Sequence, residues 1–397
     1  MDTKVLRLRG NADKRIRAGH VWVYSNEVDT LKTPLTGFTA GDQVVIENAA
    51  GKALGTAFVN PNTLICARLI SRSPKTFLNK KQIQNRIECA LRLRSLNFAL
   101  PYYRLVFGDS DALPGLVVDR FDDVCVVQIS SAGMEQCKTA IITALNNVLA
   151  PKSIIFKNDG KMRRVEGLDT YVECVGENCD YLRVVENGVE FVVPIQGAQK
   201  TGWFYDHRVN RAMLQPYVQG KRVLDLFSYV GGWGLQAAAF GAEQVVAVDV
   251  SAGALEVLNE NARLQGVEAR TSTIRGDVFE VVEQMLQDKE KFDLVIADPP
   301  AFIPRRKDIK AGERAYGRLN EIALRLLSRE GILVSASCSM HLEANRHIDL
   351  IRAAGRQVDR FVQVLGRGHQ GPDHPILPAI PETDYIKAVF VRSLPSV

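Results

Sequence analysis

Near residue 184 of this 397-residue chain the rhythm of apolar and polar positions changes. Beyond it, short apolar runs alternate with longer stretches whose apolar residues recur every three or four positions. RVLDLFS (222–228), QVVAVDVS (244–251), TSTIRGD (271–277), FDLVIADPP (292–300) and GILVSASCS (331–339) read as strands running into turns. Between them LQAAAF, GALEVLNENARLQG, VFEVVEQMLQ and RLNEIALRLL read as helices, as does HLEANRHIDLIRAAG after the last run. FVQVL and YIKAVFVRS close the chain as two more strands. Strands apolar on both faces and separated by helices predict a mostly parallel, doubly wound sheet between helical layers.

Upstream the pattern differs. KVLRLRG, HVWVYS, DQVVIEN, LGTAFVN and LICARLI are short alternating runs separated by Gly, Asn and Pro, the pattern of a small β-barrel-like domain over residues 1–73. Residues 76–184 open on a helix rich in Lys and Arg, NKKQIQNRIECALRLRSL. They continue with the strands GLVVDRF and CVVQIS and the helix EQCKTAIITALNNVL, which makes an α+β module. The expected division is therefore 1–73, 76–184 and 185–397.

Composition changes this picture little. Apolar and charged fractions of 46% and 24% are those of an ordinary globular protein. The net charge of +5 is carried by the N-terminal segment, where Lys and Arg number 11 against 6 Asp and Glu through Lys75. A polyanionic partner is permitted and not required. The N-terminus has no apolar stretch after its charges, and nowhere are there about 18 consecutive apolar residues, so a cytoplasmic protein is expected. The seven cysteines lack paired C-x-x-C spacing, which points to neither a metal site nor a disulfide framework. Six lie before residue 180, and Cys338 stands alone in the second half.

In a doubly wound sheet ligands gather at the carboxyl ends of the strands. Asp249 ends the second predicted strand, Asp277 follows the third and Asp298 ends the fourth, while the turn SYVGGWG (228–234) follows the first. Asp249 can accept from both hydroxyls of a ribose, and Asp277 can reach an adenine amino group. Asp225, inside the first strand, is placed to orient the turn. GWGLQA (232–237) formally matches the dinucleotide pattern G-x-G-x-x-G/A. In that pattern, however, the first glycine closes the strand directly, whereas here Ser228, Tyr229 and Val230 intervene. The longer turn suits a cofactor without phosphates, and S-adenosylmethionine is preferred to NAD.

Two successive prolines after Asp298 fix φ and remove two backbone donors, so the chain leaves the sheet extended, forming a rigid lip that can hold a flat base. Cys338 ends the next strand, one βα unit later. Neighbouring strands lie about 4.8 Å apart, so both residues can overhang one crevice. A thiolate there could add to C6 of a cytosine and make C5 nucleophilic. An ordinary thiol, with a pKa of about 8.5, is only a few per cent ionised at pH 7, so something must favour the anion. The flanking Ser337 and Ser339 and a helix N-terminus near Met340 are the candidates. The competing reading of Cys338 is a small buried hydrophobe.

KTGWFYDHR (200–208), VLDLFSYVGGWG (223–234), VVAVDVS (245–251), FDLVIADPPAF (292–302), SCS (337–339) and DHP (373–375) occur in an order that resembles the bacterial ribosomal RNA large subunit methyltransferase I family. RAGHVWVYSNEV (17–28) resembles the opening of that family's PUA RNA-binding domain, and YRLVFGDSDALPGLVVDRF (103–121) its central domain. The resemblance implies a multidomain α/β protein: an N-terminal β-barrel-like PUA domain, a central α+β domain and a C-terminal Rossmann-like class I methyltransferase. It further implies an S-adenosylmethionine-dependent cytosine-5 methyltransferase acting on 23S rRNA or a ribosomal assembly intermediate, and leaves room for a homodimer. The family's cysteine falls on Cys338 and its Asp-Pro-Pro on Asp298, Pro299 and Pro300; with Cys338 as the nucleophile, Asp298 is the first candidate to remove the C5 proton and His374, or a water that either one positions, the next. The cofactor set is then Asp225, Phe227, Ser228, Gly231, Gly232, Asp249, Asp277 and Asp298, and the substrate set Lys200, Arg208, Pro299, Pro300 and His374. Ala301 departs from the lysine common after the Asp-Pro-Pro. Methylation of another rRNA base atom, such as guanine N7, is the alternative within the class. A catalytically silent RNA-binding assembly factor is the alternative outside it.

Overall fold

Five short strands build the first sheet: β1 (Val5–Arg7), β2 (Trp22–Tyr24), β3 (Gln43–Glu47), β4 (Ala53–Val59) and β5 (Ile65–Ser71), in the order β1-β3-β4-β5-β2. A bridge between Leu8 and Val28, just past β1 and β2, joins its two edges, so the sheet curls into the barrel that the alternating runs predict. Leu6, Val44, Ile46, Ala57 and Cys66 fill it. The computed structural model describes residues 4–396. These form two compact units, the first running through Leu182 and taking in Ala198–Trp203 and Pro372–Thr383, the second holding the rest.

The first unit's other sheet joins β6 (Tyr102–Phe107), β7 (Leu116–Phe121), β8 (Val124–Ile129), β9 (Ser153–Asn158) and β10 (Tyr171–Gly176) in the order β10-β9-β8-β7-β6. The helix Lys80–Asn97, capped by Asn79 accepting from the Gln82 amide, packs beside the helix Lys138–Leu149. Ile83, Ile87, Ile141 and Leu145 from these helices share one core with Leu105, Val118 and Val127. Arg94, on the buried side of the first helix, forms a two-pronged pair with Asp111 at 2.7 and 2.8 Å and donates to the Asp373 carbonyl at 2.9 Å. Asp373 Oδ2 in turn accepts from the Arg104 amide at 3.1 Å. These bonds fasten the segment containing His374 into the first unit.

In the second unit a hairpin, β11 (Tyr181–Glu186) and β12 (Val189–Pro194), precedes a seven-stranded sheet. Its strands are β13 (Arg222–Leu226), β14 (Gln244–Asp249), β15 (Thr271–Arg275), β16 (Phe292–Ala297), β17 (Leu327–Ser337), β18 (Arg360–Gly368) and β19 (Lys387–Pro395), in the order β15-β14-β13-β16-β17-β19-β18. The five through β17 are parallel, and β19 runs antiparallel between β17 and β18. Leu224, Val246, Val295 and Leu333 from four strands meet Val282, Leu319 and Ile351 from helices on one face, and the alternating Val223, Val245, Leu294 and Val334 are buried on the other, which accounts for the two-sided apolar pattern.

The helix expected from near Met340 begins instead at Ala344, with Glu343 extended at its N-cap. Serine hydroxyls explain the delay. Ser337 Oγ accepts from the Ser339 amide at 3.1 Å, and the Leu342 amide donates to the Ser339 carbonyl at 3.1 Å, so the chain turns before it can wind. Among the described residues no helix is long and apolar enough to cross a membrane.

Candidate active site

The reversal of strand order lies at β13, which pairs with β14 on one side and β16 on the other. Leu226 is level with Val248 and with Ala297, so Phe227, Asp249 and Asp298 come out of the sheet in one row. Adjacent strands being about 4.8 Å apart, the two carboxylates stand on the order of 10 Å from one another across the mouth of the sheet. Ala297 is level with Ser335, which brings Cys338 out over the neighbouring strand end, three residues on.

The turn after β13 is strained and tightly held. Phe227 and Tyr229 take left-handed φ values of 61° and 50°, which cost non-glycine residues energy. Offsetting bonds run from the Gly234 amide to Asp225 Oδ2 (2.8 Å) and from the Tyr229 amide to Asp249 Oδ2 (2.9 Å). Gly231 has φ of 89°, and a Cβ there would stand 2.7 Å from Leu235 Cγ and 2.9 Å from Leu258 Cγ, so only glycine fits. Gly232, beside it, is partly exposed.

Asp249 Oδ1 also accepts from the Ser251 amide at 2.8 Å. Each carboxylate oxygen thus spends one acceptor site on the backbone and keeps capacity toward a ligand hydroxyl. Ser228 Oγ is buried with no hydrogen-bond partner among the described residues, a polar atom placed in the turn where a cofactor's polar groups can meet it. Asp277 caps the helix Val278–Gln287 through one oxygen, Oδ1, which accepts from the Phe279 and Glu280 amides. These side chains fit a nucleoside cofactor with a free ribose. Asp249→Ala is expected to weaken S-adenosylmethionine binding by about 1–3 kcal/mol through lost charge-assisted hydrogen bonds. Calorimetry measures it, and unchanged affinity removes Asp249 from the site.

Asp225 serves from behind the turn. It is fully buried, and burial, with Asp298 and Asp249 adding negative charge nearby, pushes its carboxyl up to about 8 against the pull of the Gly234 amide. Between its usual value of 3.8 and about 8 the folded chain keeps a proton that the unfolded chain has lost. Asp225 therefore contributes stability that declines as pH rises through that window. Asp225→Asn keeps an acceptor for Gly234 without the titration. Its urea-unfolding midpoint should fall less steeply than the wild type's between pH 5 and pH 8; parallel profiles would refute the burial argument.

Asp298 is held by a hydrogen bond on one oxygen and faces a histidine on the other. Trp233 Nε1 donates to Oδ2 at 2.9 Å, and His207 Nε2 lies 3.4 Å from Oδ1. Asn210 Nδ2 donates to His207 Nδ1 at 3.0 Å, which makes that nitrogen the acceptor and leaves Nε2 facing Asp298 with no hydrogen bond of its own among the described residues. His207 and Trp233 are site residues that the sequence does not single out. Each stands in a stretch already noted, KTGWFYDHR and SYVGGWG, but their place beside Asp298 depends on a contact between distant parts of the chain. Pro299 is buried and Pro300 exposed, so the lip has one anchored and one open proline.

Of the other expected substrate residues, Arg208 is buried, with Nε 3.5 Å from Glu186 Oε2, and Glu186 also holds Arg211 at 2.6 Å. That makes a buried ion-pair network in place of the substrate contact expected of Arg208. Lys200 is exposed with φ of 49° and belongs to the first unit. His374 also lies there, buried, with Nδ1 3.0 Å from Asp373 Oδ1 and its ring 5.0 Å from that of Phe107.

Cys338 is partly exposed, unlike Cys66 and Cys125, whose buried thiols are pushed up to about 12 by burial. Its flanking serines are also tied into the rest of the fold. Ser337 Oγ donates to Tyr316 Oη at 2.8 Å, Ser339 Oγ lies 2.9 Å from the same oxygen, and the Ile303 amide donates to Ser339 Oγ at 3.2 Å. The hydroxyls brace the turn that carries the thiol, and with the helix starting only at Ala344 its N-terminus is also displaced from Cys338.

A seven-stranded sheet with this order and a glycine turn facing acidic strand ends defines an S-adenosylmethionine-dependent methyltransferase, and residues 156–345 match the family model of that description. Residues 6–72 match the model of a PUA-like domain. The chain belongs to the ribosomal RNA large subunit methyltransferase I family: the Erwinia tasmaniensis member is 32% identical over 99% of this chain and 100% of its own. The Photobacterium profundum member is 33% identical with the same coverage. A solved SAM-dependent methyltransferase of Streptococcus mutans superposes with a TM-score of 0.82 over 98% of this chain and 100% of that one, at 20% identity, a likeness of fold. Another solved methyltransferase, in complex with SAH, matches with the same figures.

Proposed function

We propose that the chain methylates carbon 5 of a cytosine in 23S ribosomal RNA through a covalent bond from Cys338 to C6. The observation that carries this reading is the pairing of β16 with β17, which sets Asp298 and a partly exposed thiol at neighbouring strand ends. When bound, S-adenosylmethionine supplies an electrophilic methyl group. The Cys338 thiolate adds to C6, C5 gains the electron density to take the methyl, and Asp298, backed by His207, accepts the C5 proton so that the thiolate can leave. Pro299 and Pro300 hold the base, which must be unstacked to reach the crevice.

Three domains divide the work in this reading: 1–73 as the PUA-like RNA-binding domain, 76–184 as the central domain and 185–397 as the methyltransferase. Of the three expected RNA contacts, the exposed Lys200 takes part in holding the RNA, while the buried Arg208 and His374 act through the elements they brace. The substrate is met in the cytoplasm, as rRNA or as an assembly intermediate, by the protein alone or as a homodimer. Bisulfite sequencing of 23S rRNA from cells with and without the gene tests the assignment. One protected cytosine should become convertible when the gene is absent. Loss of a guanine methyl group instead would favour the other base, and no change in any rRNA modification would favour an assembly factor.

A further inference from the structure

Of the stabilising groups expected from sequence for the thiolate that this mechanism needs, the helix starts late and the serine hydroxyls are shared with Tyr316. Strand β19 brings another. In the antiparallel pairing of β17 with β19, Lys387 is directly opposite Ser337. Its side chain then reaches past Cys338 to donate from Nζ to the Ser339 carbonyl at 2.8 Å. The lysine is therefore fastened to the residue on either side of the cysteine, by strand pairing before it and by a hydrogen bond after it. An ammonium has three donors, and this bond uses one.

Among the titratable groups described around the turn, Lys387 brings positive charge. Tyr316, from the helix Ile309–Leu326, is buried and its phenol is pushed up, chiefly by that burial. His347, from the helix Ala344–Gln357, is pushed down to about 4 by burial and by Lys387 itself, so it is neutral at pH 7. Asp298, at the end of β16, and Asp384, just before β19, bring negative charge. For Lys387, burial draws the ammonium down, while Asp384 and a Cys338 anion both draw it up.

We propose that Lys387 is a positioning residue that holds Cys338 as a thiolate and keeps it at the apex of its turn. The inference rests on the reading of Cys338 as the nucleophile. The thiol proton passes to solvent, leaving the sulfur anion beside the ammonium, and no further reactant is needed.

The ionisation of Cys338 can be followed without any RNA. The full chain is alkylated with iodoacetamide across pH 5–10, and the Cys338 peptide is quantified by mass spectrometry. In the wild type the midpoint should fall below the ordinary value of about 8.5; a midpoint at or above it overturns the proposal without recourse to a variant. Lys387→Met should move the midpoint up by about one unit, slow alkylation at pH 7 by roughly tenfold and lower kcat with little change in KM for the cofactor. Lys387→Arg should restore most of the wild-type profile. An unchanged profile in Lys387→Met, measured on protein that still binds the cofactor, also overturns it. If the profile shifts while Cys338→Ala still methylates, the pairing stands and the nucleophile assignment fails.

Discussion

Cys338→Ala abolishes methylation of the target cytosine and leaves S-adenosylmethionine binding intact: that is the expected result with the largest effect. C5 of cytosine is a poor nucleophile until a thiolate has added to C6, so removal of the sulfur removes the reaction path and does not merely slow one step. Cofactor affinity should survive because Asp249 and the turn 228–234 sit on β13 and β14, whereas Cys338 follows β17. RNA carrying 5-fluorocytosine at the target should trap a covalent adduct with the wild type, since fluorine cannot leave as a proton does. The alanine variant should form none. A gel shift that survives denaturation reads the adduct, and calorimetry reads the cofactor. Residual C5 methylation by the variant would refute the nucleophile.

Asp298→Asn should lower turnover by about 10²–10⁴-fold, the usual worth of a positioned general base. The asparagine oxygen can still accept from Trp233 Nε1, which now bonds Asp298 Oδ2, so the lip can keep its shape. What is lost is the acceptor for the C5 proton. The methylated base should then remain attached to Cys338, and the natural adduct should accumulate on unmodified RNA. Single-turnover experiments separate the two steps. If the variant forms no adduct at all, Asp298 holds the base in place and does not take its proton. His207→Gln should have a smaller effect in the same direction, because its ring stands 3.4 Å from the carboxylate without receiving the proton from carbon.

Much of this site could be read from local pattern. The βα rhythm placed each strand end, and Asp249, Asp298 and Cys338 stand there because a strand's end is marked by the residues next to it: an acidic residue before a turn, two prolines, a serine-flanked cysteine. The glycine turn was legible for the same reason, since its backbone angles are set within a few residues. The central sheet was less so. β6, β9 and β10 do not stand out as strands, because a run such as SIIFKN sets three adjacent apolar residues between polar ones and does not alternate.

Chain topology beyond neighbouring elements was decided by tertiary pairing. Nothing local says that the last strand turns back to lie between β17 and β18, yet that insertion puts Lys387 beside Cys338. Nor does KTGWFYDHR announce that His207 will face Asp298, that Arg208 will be consumed by Glu186, or that His374 will be fastened by Arg94 into the first unit. The serines show the same limit on a smaller scale: their presence was plain, but the direction of their hydroxyls depended on Tyr316 arriving from another helix. The sequence by itself determined which groups stand at the strand ends, because strand and turn propensities act over a few residues. Only the tertiary structure decided which groups face one another, because a side chain's partner is chosen by packing between segments far apart in the chain.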